Sequence, residues 1–433
     1  MKIRNFIYII VFLVYAFLRV FTTIPAINAP RDLADTDIYV RISTQPILSD
    51  EFLYVDRPFV FPLLLQIANQ EFRHTVIFQL GLTILAWGVL AWSISTFFKN
   101  NLLRLFSFVI ILALSLVRHL AGWDFVLMTE SLSLSIFALF IVSGIWLLRG
   151  WKIYKVIICL ILAFLFAFTR DTNAYLLLMF GGLILISIFI RWLNKKFLIF
   201  VFGFFIIYFF SNLNADLSQR WIFPLTNVIG KRILPRPDVL PTFEACGMPI
   251  TPELLSAAGL YANENNRQLS VDPALEGFRV WLAEDGKSCY MKWLILNPIS
   301  TAQDALKELD AMIYFEWVGG YFSRRYQDIL PSRVERVLYP VYFLPYLLVG
   351  LTLIAFYSIF KQSWRENPLW IIAIMLCLTI FPHLYITWHG DDMAPERHAL
   401  SVGMQLSLTM WLFVFLLIEK IHNKYLGVLN NKL

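Results

Sequence analysis

The apolar stretch FIYIIVFLVYAFLRVFTTIPAI, residues 6–27, indicates a membrane-spanning helix. A helix that crosses a bilayer needs roughly 20 mostly apolar residues, and this run is long enough. Lys2 and Arg4 precede it, but no small-residue cleavage site marks a removable signal peptide. We therefore predict that residues 4–24 form a retained membrane anchor.

The rest of the chain has the same apolar character. Its 433 residues are 59% hydrophobic and 16% aromatic, with a mean hydropathy of +0.67, too apolar for a soluble protein. The apolar runs are continuous and lack the alternation of lipid-facing apolar and lumen-facing polar residues, so a transmembrane β-barrel is excluded. We predict an all-α integral membrane protein with about ten transmembrane helices. These lie near residues 4–24, 76–98, 105–117, 131–148, 155–169, 174–190, 197–213, 338–360, 369–387 and 399–418.

The short loops on one side of these helices are basic. Each carries at least two Lys or Arg and at most one acid, as the positive-inside rule requires of cytoplasmic loops. Both termini are then cytoplasmic, and the net charge of +6 reflects topology, with no nucleic-acid partner expected. Short loops and a compact length favour a bacterial inner membrane. The basic loops are KNNLLR (99–104), RGWKIYK (149–155), RWLNKK (191–196), KQSWRE (361–366) and EKIHNKY (419–425).

The acids and histidines of chemical interest gather on the opposite, extracytoplasmic side. Ionisable residues at helix ends near a bilayer are costly unless they pair or meet water, and they often mark function. The alternative is that Arg118, Glu130, Arg170 and Asp171 merely pair with each other. The outer segments are RDLADTD (31–37), RHLAGWDFVLMTE (118–130), RDTN (170–173), the loop 214–337 and HGDDMAPERH (389–398).

The chain divides into three parts. Residues 1–213 form a core of about seven helices, including a first outer loop at 25–75, and residues 338–433 add about three helices. Between them, residues 214–337 have helical spacing of apolar residues with prolines at the edges, which predicts a small helical cap. Cys246 and Cys289 lie in this cap and could form a disulfide in an oxidising compartment.

Four motifs follow one another on the predicted outer side of the chain: Asp35, Asp37 and Tyr39, then DRPFVFPLLLQI (56–67), MTESLSLSIFALF (128–140) and FTRDTNAYLLL (168–178). In their order and common sidedness they resemble the GT-C superfamily of integral membrane glycosyltransferases. Members carry acids directly after the first helix, here a D-x-D-x-Y run. Thr36 stands where many members have an acid, which leaves open whether Asp35 or Asp37 is catalytic.

The resemblance implies transfer of a monosaccharide from a polyprenyl-phosphate donor to a glycan, lipid or protein acceptor at the outer membrane surface. Asp35 or Asp37 would be the general base, and attack opposite the phosphate implies inversion. Arginines bind a phosphate through bidentate hydrogen bonds. The candidates for this role are Arg170, Arg397, Arg57 and Arg118, supported by Tyr39, Glu130, Asp171 and His398.

A divalent cation, Mg²⁺ or Mn²⁺, could neutralise the phosphate. Its candidate ligands are Asp35 and Asp37, or His389, Asp391 and Asp392 of the HGDD sequence. The competing interpretation of DLADTD is a helix N-cap, because Asp and Thr commonly start helices.

Two other functions fit a polytopic chain. A transporter or flippase for a lipid-linked substrate would break no bond, but it commonly has charges near the bilayer centre and internal repeats, and the sequence shows neither clearly. An O-antigen ligase or polymerase also has a large outer loop with arginines, but it does not need acids directly after the first helix.

Overall fold

The computed structural model describes residues 2–33, 35–313, 320–340 and 344–430. Within these residues the protein is helical and contains no β-strand; Arg31 and Val126 form an isolated parallel bridge. Residues 314–319 of the predicted cap and 341–343 of the predicted span 338–360 lie outside the described residues.

Each of the ten apolar runs overlaps a helix. The bounds are α1 Lys2–Phe21, α2 Phe72–Ser95, α3 Asn101–Ser115, α4 Thr129–Arg149, α5 Ile153–Ala167, α6 Asp171–Phe189, α7 Leu198–Leu217, α8 Leu344–Phe360, α9 Leu369–Gly390 and α10 Leu400–Asn430.

Six of these helices, α2, α4, α6, α7, α9 and α10, are long and apolar enough to cross a membrane. A seventh candidate is α3 together with the segment Arg118–Phe125, which follows it at a bend of 57°. The apolar parts of α1, α5 and α8 are shorter. For example, the 15 residues of α5 extend only about 22 Å, against a hydrocarbon core of about 30 Å. The protein is therefore integral to a membrane, with six or seven candidate spans by length.

The loops predicted to be cytoplasmic meet at one end of the bundle. The backbone N–H of Lys99 donates to Glu419 over 3.1 Å, and Asn100 lies 3.0 Å from His422. Asn367 donates to the other Glu419 oxygen over 2.9 Å. Five residues from three distant parts of the sequence thus lie at one end of the bundle.

The predicted outer loop 118–130 is not an exposed loop. Residues 120–130 are buried, and the regular α-helix is interrupted between Ala121 and Thr129. The amide of Gln79 donates to the carbonyls of Trp123, Asp124 and Val126 there, over 3.2 to 3.4 Å. Irregular backbone at membrane depth requires such internal partners. The segment is therefore part of the core and carries the start of α4.

A buried ion pair fixes this segment. Arg19 near the end of α1 donates from Nη2 to Asp124 over 2.8 Å, and both side chains are 1% exposed. The second Asp124 oxygen accepts from Ser131 over 2.6 Å and from Thr83 over 3.0 Å. Buried charges persist only when they are paired and hydrogen-bonded in this way.

The cap has an apolar core of its own, which includes Phe243, Phe278, Trp281 and Trp293. The structure contains the Cys246–Cys289 disulfide, with 6.0 Å between the two Cα atoms.

The stretch TPELLSAAGLYANENN is α-helical only over Pro252–Ser256 and reaches a 3-10 turn at Asn265, contrary to its apolar spacing. Gly259 has a φ of +85°, and Asn265 and Asn266 also have positive φ, which ends a right-handed helix.

The remaining short helices of the chain are Ile24–Ile27, Thr36–Ser43, Asp50–Leu53, Val60–Ile67, Arg118–Ala121, Gly122–Phe125, Lys195–Phe197, Ile222–Val228, Ile229–Ile233, Leu240–Glu244, Asn265–Arg267, Gln268–Val271, Pro273–Leu275, Glu276–Trp281, Leu282–Gly286, Lys287–Leu296, Pro298–Lys307, Leu309–Ile313, Ser332–Leu338, Ser363–Arg365 and Pro395–His398.

Candidate active site

Backbone pairing positions Asp35. The N–H of Arg31 donates to the carbonyl of Phe125 over 2.8 Å, and the N–H of Leu127 donates back to Arg31 over 2.9 Å. The Thr36 hydroxyl then accepts from the N–H of Leu33 and donates to the carbonyl of Leu127 over 3.2 Å. These hydrogen bonds hold the chain after α1 against the segment that leads into α4. Asp35 therefore lies near Glu130.

Five charged side chains meet there, and we call them the arginine–carboxylate cluster: Asp35, Arg57, Glu130, Arg170 and Arg397. Arg57 lies 2.7 Å from Asp35 Oδ1, and Arg397 lies 3.3 Å from Asp35 Oδ2. Glu130 Oε1 lies 3.3 Å from Arg397 and 3.5 Å from Arg170. The cluster therefore joins the first outer loop, the starts of α4 and α6, and the segment between α9 and α10.

The arginine–carboxylate cluster holds three guanidinium groups and two carboxylates, an excess of one positive charge. Glu130 is 1% exposed, Arg170 is 10% and Arg397 is 16% exposed. The Nε of Arg397 is buried and, although close to Glu130, has no hydrogen-bond partner. Excess buried charge is unfavourable unless a counter-ion joins it, so the cluster is suited to bind an anion.

The arginines also set the protonation of Asp35. Burial opposes its ionisation, but Arg57 and Arg397 outweigh that effect and hold the pKa of Asp35 below its ordinary value. Burial is also the largest cause that raises the pKa of the neighbouring Tyr39, to about 12. Tyr39 packs edge-on against Phe61, with 5.0 Å between ring centroids. At neutral pH the site thus contains an ionised Asp35 beside a neutral phenol.

His398 extends the site towards the cap. Arg170 donates to its Nδ1, so the proton of the neutral ring lies on Nε2, which faces Asp391 Oδ2 at 3.6 Å. Burial, then Arg170, Arg397 and Arg57, lower the pKa of His398 well below 6.5. Asp391 in turn accepts from Asn227 and from the N–H of Met393. His398 is therefore a neutral link between Arg170 and the cap.

Three other predicted site residues lie outside the arginine–carboxylate cluster. Asp37 is exposed in the first turn of the helix Thr36–Ser43. Arg118 pairs with Asp328 at 3.4 Å, and its backbone N–H donates to Glu335. Asp171 makes a bidentate pair with Arg220, at 2.7 and 2.8 Å, and so leaves the adjacent Arg170 to face Glu130.

The HGDD sequence does not gather its three candidate metal ligands. His389 Nδ1 lies 2.8 Å from the Tyr290 hydroxyl and Nε2 lies 3.2 Å from the carbonyl of Thr301, so both ring nitrogens are used. Asp392 instead pairs with Arg232. Among the described residues, no three His, Cys, Asp or Glu side chains are placed to hold a metal ion. The two oxygens of Asp35 already face arginines, so these residues do not fit a dedicated cation site.

Sequence reasoning missed three cations that organise the site, namely Arg19, Arg220 and Arg232. Arg19 had a detectable signal, because it is a charged residue inside an apolar run and such residues need a partner. Arg220 and Arg232 follow α7 in an ordinary polar stretch, and their carboxylate partners are 49 and 160 residues away in sequence. No local pattern identifies such pairs.

The chain matches no protein-family model, no curated protein and no solved structure.

Proposed function

We propose that this protein is an integral membrane glycosyltransferase that moves a monosaccharide from a polyprenyl-phosphate donor to an acceptor hydroxyl at the extracytoplasmic surface. One observation carries the proposal, namely the excess positive charge of the mostly buried arginine–carboxylate cluster. A lipid phosphate would supply the missing negative charge. Its prenyl chain would lie along the apolar helices while its head group meets the arginines at their ends.

In the reaction, the acceptor oxygen attacks the anomeric carbon and the bond from that carbon to the phosphate oxygen breaks. The electron pair of the broken bond leaves with the phosphate, and the hydroxyl proton goes to Asp35. Arg397 and Arg170 would stabilise the charge that develops on the leaving phosphate. Attack opposite the phosphate inverts the anomeric carbon.

The ion pairs of Asp35 suggest how the base becomes active. With one guanidinium at each oxygen, the pKa of Asp35 lies below its ordinary value. A carboxylate with a low pKa is a weak base. A donor phosphate competes for Arg397, which reaches Asp35 and Glu130 alike. When Arg397 turns to the phosphate, Asp35 loses a counter-charge and its pKa rises. Donor binding would thus strengthen the base.

The test uses purified protein in nanodiscs with a panel of radiolabelled polyprenyl-phosphate monosaccharides, followed by release of polyprenyl phosphate. We expect Asp35→Asn to lower turnover by about 10² to 10⁴-fold, the range for loss of a general base. The matched control is Asp37→Asn, the same change at an exposed carboxylate two residues away, and its turnover should stay near wild type.

Two results would contradict the proposal. One is a folded wild-type protein that releases phosphate from no donor in the panel. The other is an Asp35→Asn variant that releases it as fast as wild type. Movement of an intact lipid-linked sugar between leaflets, with no bond broken, would instead establish the flippase alternative.

A further inference from the structure

A cavity of about 200 Å³ lies where the cap meets the end of α9, outside the arginine–carboxylate cluster. Ligand pockets commonly measure roughly 300 to 1,000 Å³, so this cavity suits one small group. Its walls include Arg232, Arg236, Trp293, Asp304, Glu308 and Trp388.

Trp388 and Arg232 form a rigid wall of the cavity. The Arg232 guanidinium carbon lies 3.3 Å from the centroid of the Trp388 ring, and the same side chain donates to the Trp388 carbonyl. Arg232 is only 14% exposed and also pairs with Asp392. The indole N–H of Trp388 and the Nε of Arg232 are buried without a hydrogen-bond partner. Arg232 therefore covers one face of the Trp388 ring, and a ligand with an apolar side can pack only on the opposite face.

The charges of the cavity argue against an anion. Arg236 pairs with Asp304 at 2.7 Å, Lys307 with the same carboxylate at 3.4 Å, and Lys231 with Glu264 at 3.2 Å, so these cations already have carboxylate partners. Asp304 and Glu308 would repel a phosphate, which at neutral pH mainly accepts hydrogen bonds. A hydroxyl both donates and accepts, and it can use the arginines and the carboxylates together.

The cavity is connected to the candidate active site by one short segment. Trp388 lies at the cavity, Asp391 lies 3.6 Å from His398, and Arg397 pairs with Asp35. Asn227 and Arg232, from adjoining cap helices, contact Asp391 and Asp392 of the same segment. A molecule held in the cavity therefore lies along the segment that carries Arg397.

From these observations we infer that the cavity binds a neutral saccharide unit of the acceptor. This inference rests on the proposed function. The C–H face of a sugar ring packs on an aromatic ring, here the face of Trp388 opposite Arg232. The sugar hydroxyls match the mixed donors and acceptors of the walls. The cap would thus hold an acceptor glycan at a point away from the hydroxyl that reacts.

The test measures binding of the methyl glycosides of glucose, galactose, mannose, rhamnose and N-acetylglucosamine to protein in nanodiscs by saturation-transfer NMR, without donor. We expect at least one glycoside to bind, and Trp388→Ala to weaken it about tenfold through loss of aromatic contact. Trp388→Phe keeps an aromatic face and should retain most of the binding. If it does, the loss in Trp388→Ala reflects the missing ring and not misfolding. Trp192→Ala, at a tryptophan stacked on Trp364, is the matched control.

Asp35→Asn separates this inference from the proposed function, because it should lower transfer by the factor given above and leave glycoside binding unchanged. If the wild-type protein binds a glycoside but turns over no donor, the saccharide site is supported and the glycosyltransferase proposal is refuted. The inference is overturned if wild type binds none of the glycosides, if Trp388→Ala binds them as wild type does, or if inorganic phosphate displaces them from the cavity.

Discussion

At the scale of single residues, His398 is a neutral imidazole among cations. Its pKa lies well below 6.5 because of burial and the nearby Arg170, Arg397 and Arg57, while Asp391 faces its Nε2. In the unfolded chain the same ring takes up a proton near pH 6.5. Below about pH 6.5 the unfolded state therefore binds more protons, and the free energy of unfolding falls as the pH falls towards the folded pKa.

We expect His398→Asn to weaken this dependence. The contribution of one histidine is at most about 1.4 kcal/mol per pH unit, so the variant's curve should be flatter by up to that slope. The measurement is the free energy of unfolding in mixed micelles between about pH 7 and pH 5. His74→Asn, at an exposed histidine, is the control and should follow wild type. Equal slopes for His398→Asn and wild type would show that His398 does not resist protonation.

The choice between Asp35 and Asp37 shows what a local pattern leaves undetermined. Both acids follow the first apolar run, and both suit a helix N-cap. Asp35 does occupy the N-cap position, but its side chain makes no capping hydrogen bond and faces Arg57 and Arg397 instead. Because one of these arginines lies 362 residues away, the sequence could indicate the region of the site but not which carboxylate belongs to it.

At the scale of elements, the Arg19–Asp124 pair ties α1 to the bent segment before α4. We expect Arg19→Leu to lower the free energy of unfolding by about 3 to 5 kcal/mol, because Asp124 would remain buried without its counter-charge. The matched control is Arg41→Leu, whose partner Asp56 is 61% exposed, and which should cost about 0 to 1 kcal/mol. Unfolding in mixed micelles measures both. Similar losses for the two variants would mean that the buried pair does not hold this segment.

The apolar runs predicted where the helices lie, whereas the structure of the polar segments between them was harder to predict. The run 131–148 corresponds to α4, Thr129–Arg149, since a run of apolar residues at helical length needs no distant partner. The segment 118–130 was predicted as an outer loop and is buried instead, because Gln79 and Arg19 satisfy its polar groups from other helices. The fold of such a segment depends on contacts that a single sequence does not display.

At the scale of the whole molecule, the two ends of the bundle differ in chemistry. One end gathers the basic loops, with Lys99 and Asn367 both bound to Glu419. The other end carries the arginine–carboxylate cluster and the cap, whose disulfide is of a kind that persists in oxidising compartments. Together with the positive-inside rule, this difference favours an orientation with the cap outside the cell membrane.

Labelling of single cysteines tests that orientation. Asn266 in the cap and Lys361 after α8 are both exposed, whereas Cys159 and Cys377 are buried and the other two cysteines form a disulfide. We expect a membrane-impermeant maleimide added to intact cells to label Asn266→Cys and to spare Lys361→Cys. After permeabilisation both should react, which controls for accessibility. Labelling of Lys361→Cys alone in intact cells would place the arginine–carboxylate cluster on the cytoplasmic side, where donors presented at the outer surface could not reach it.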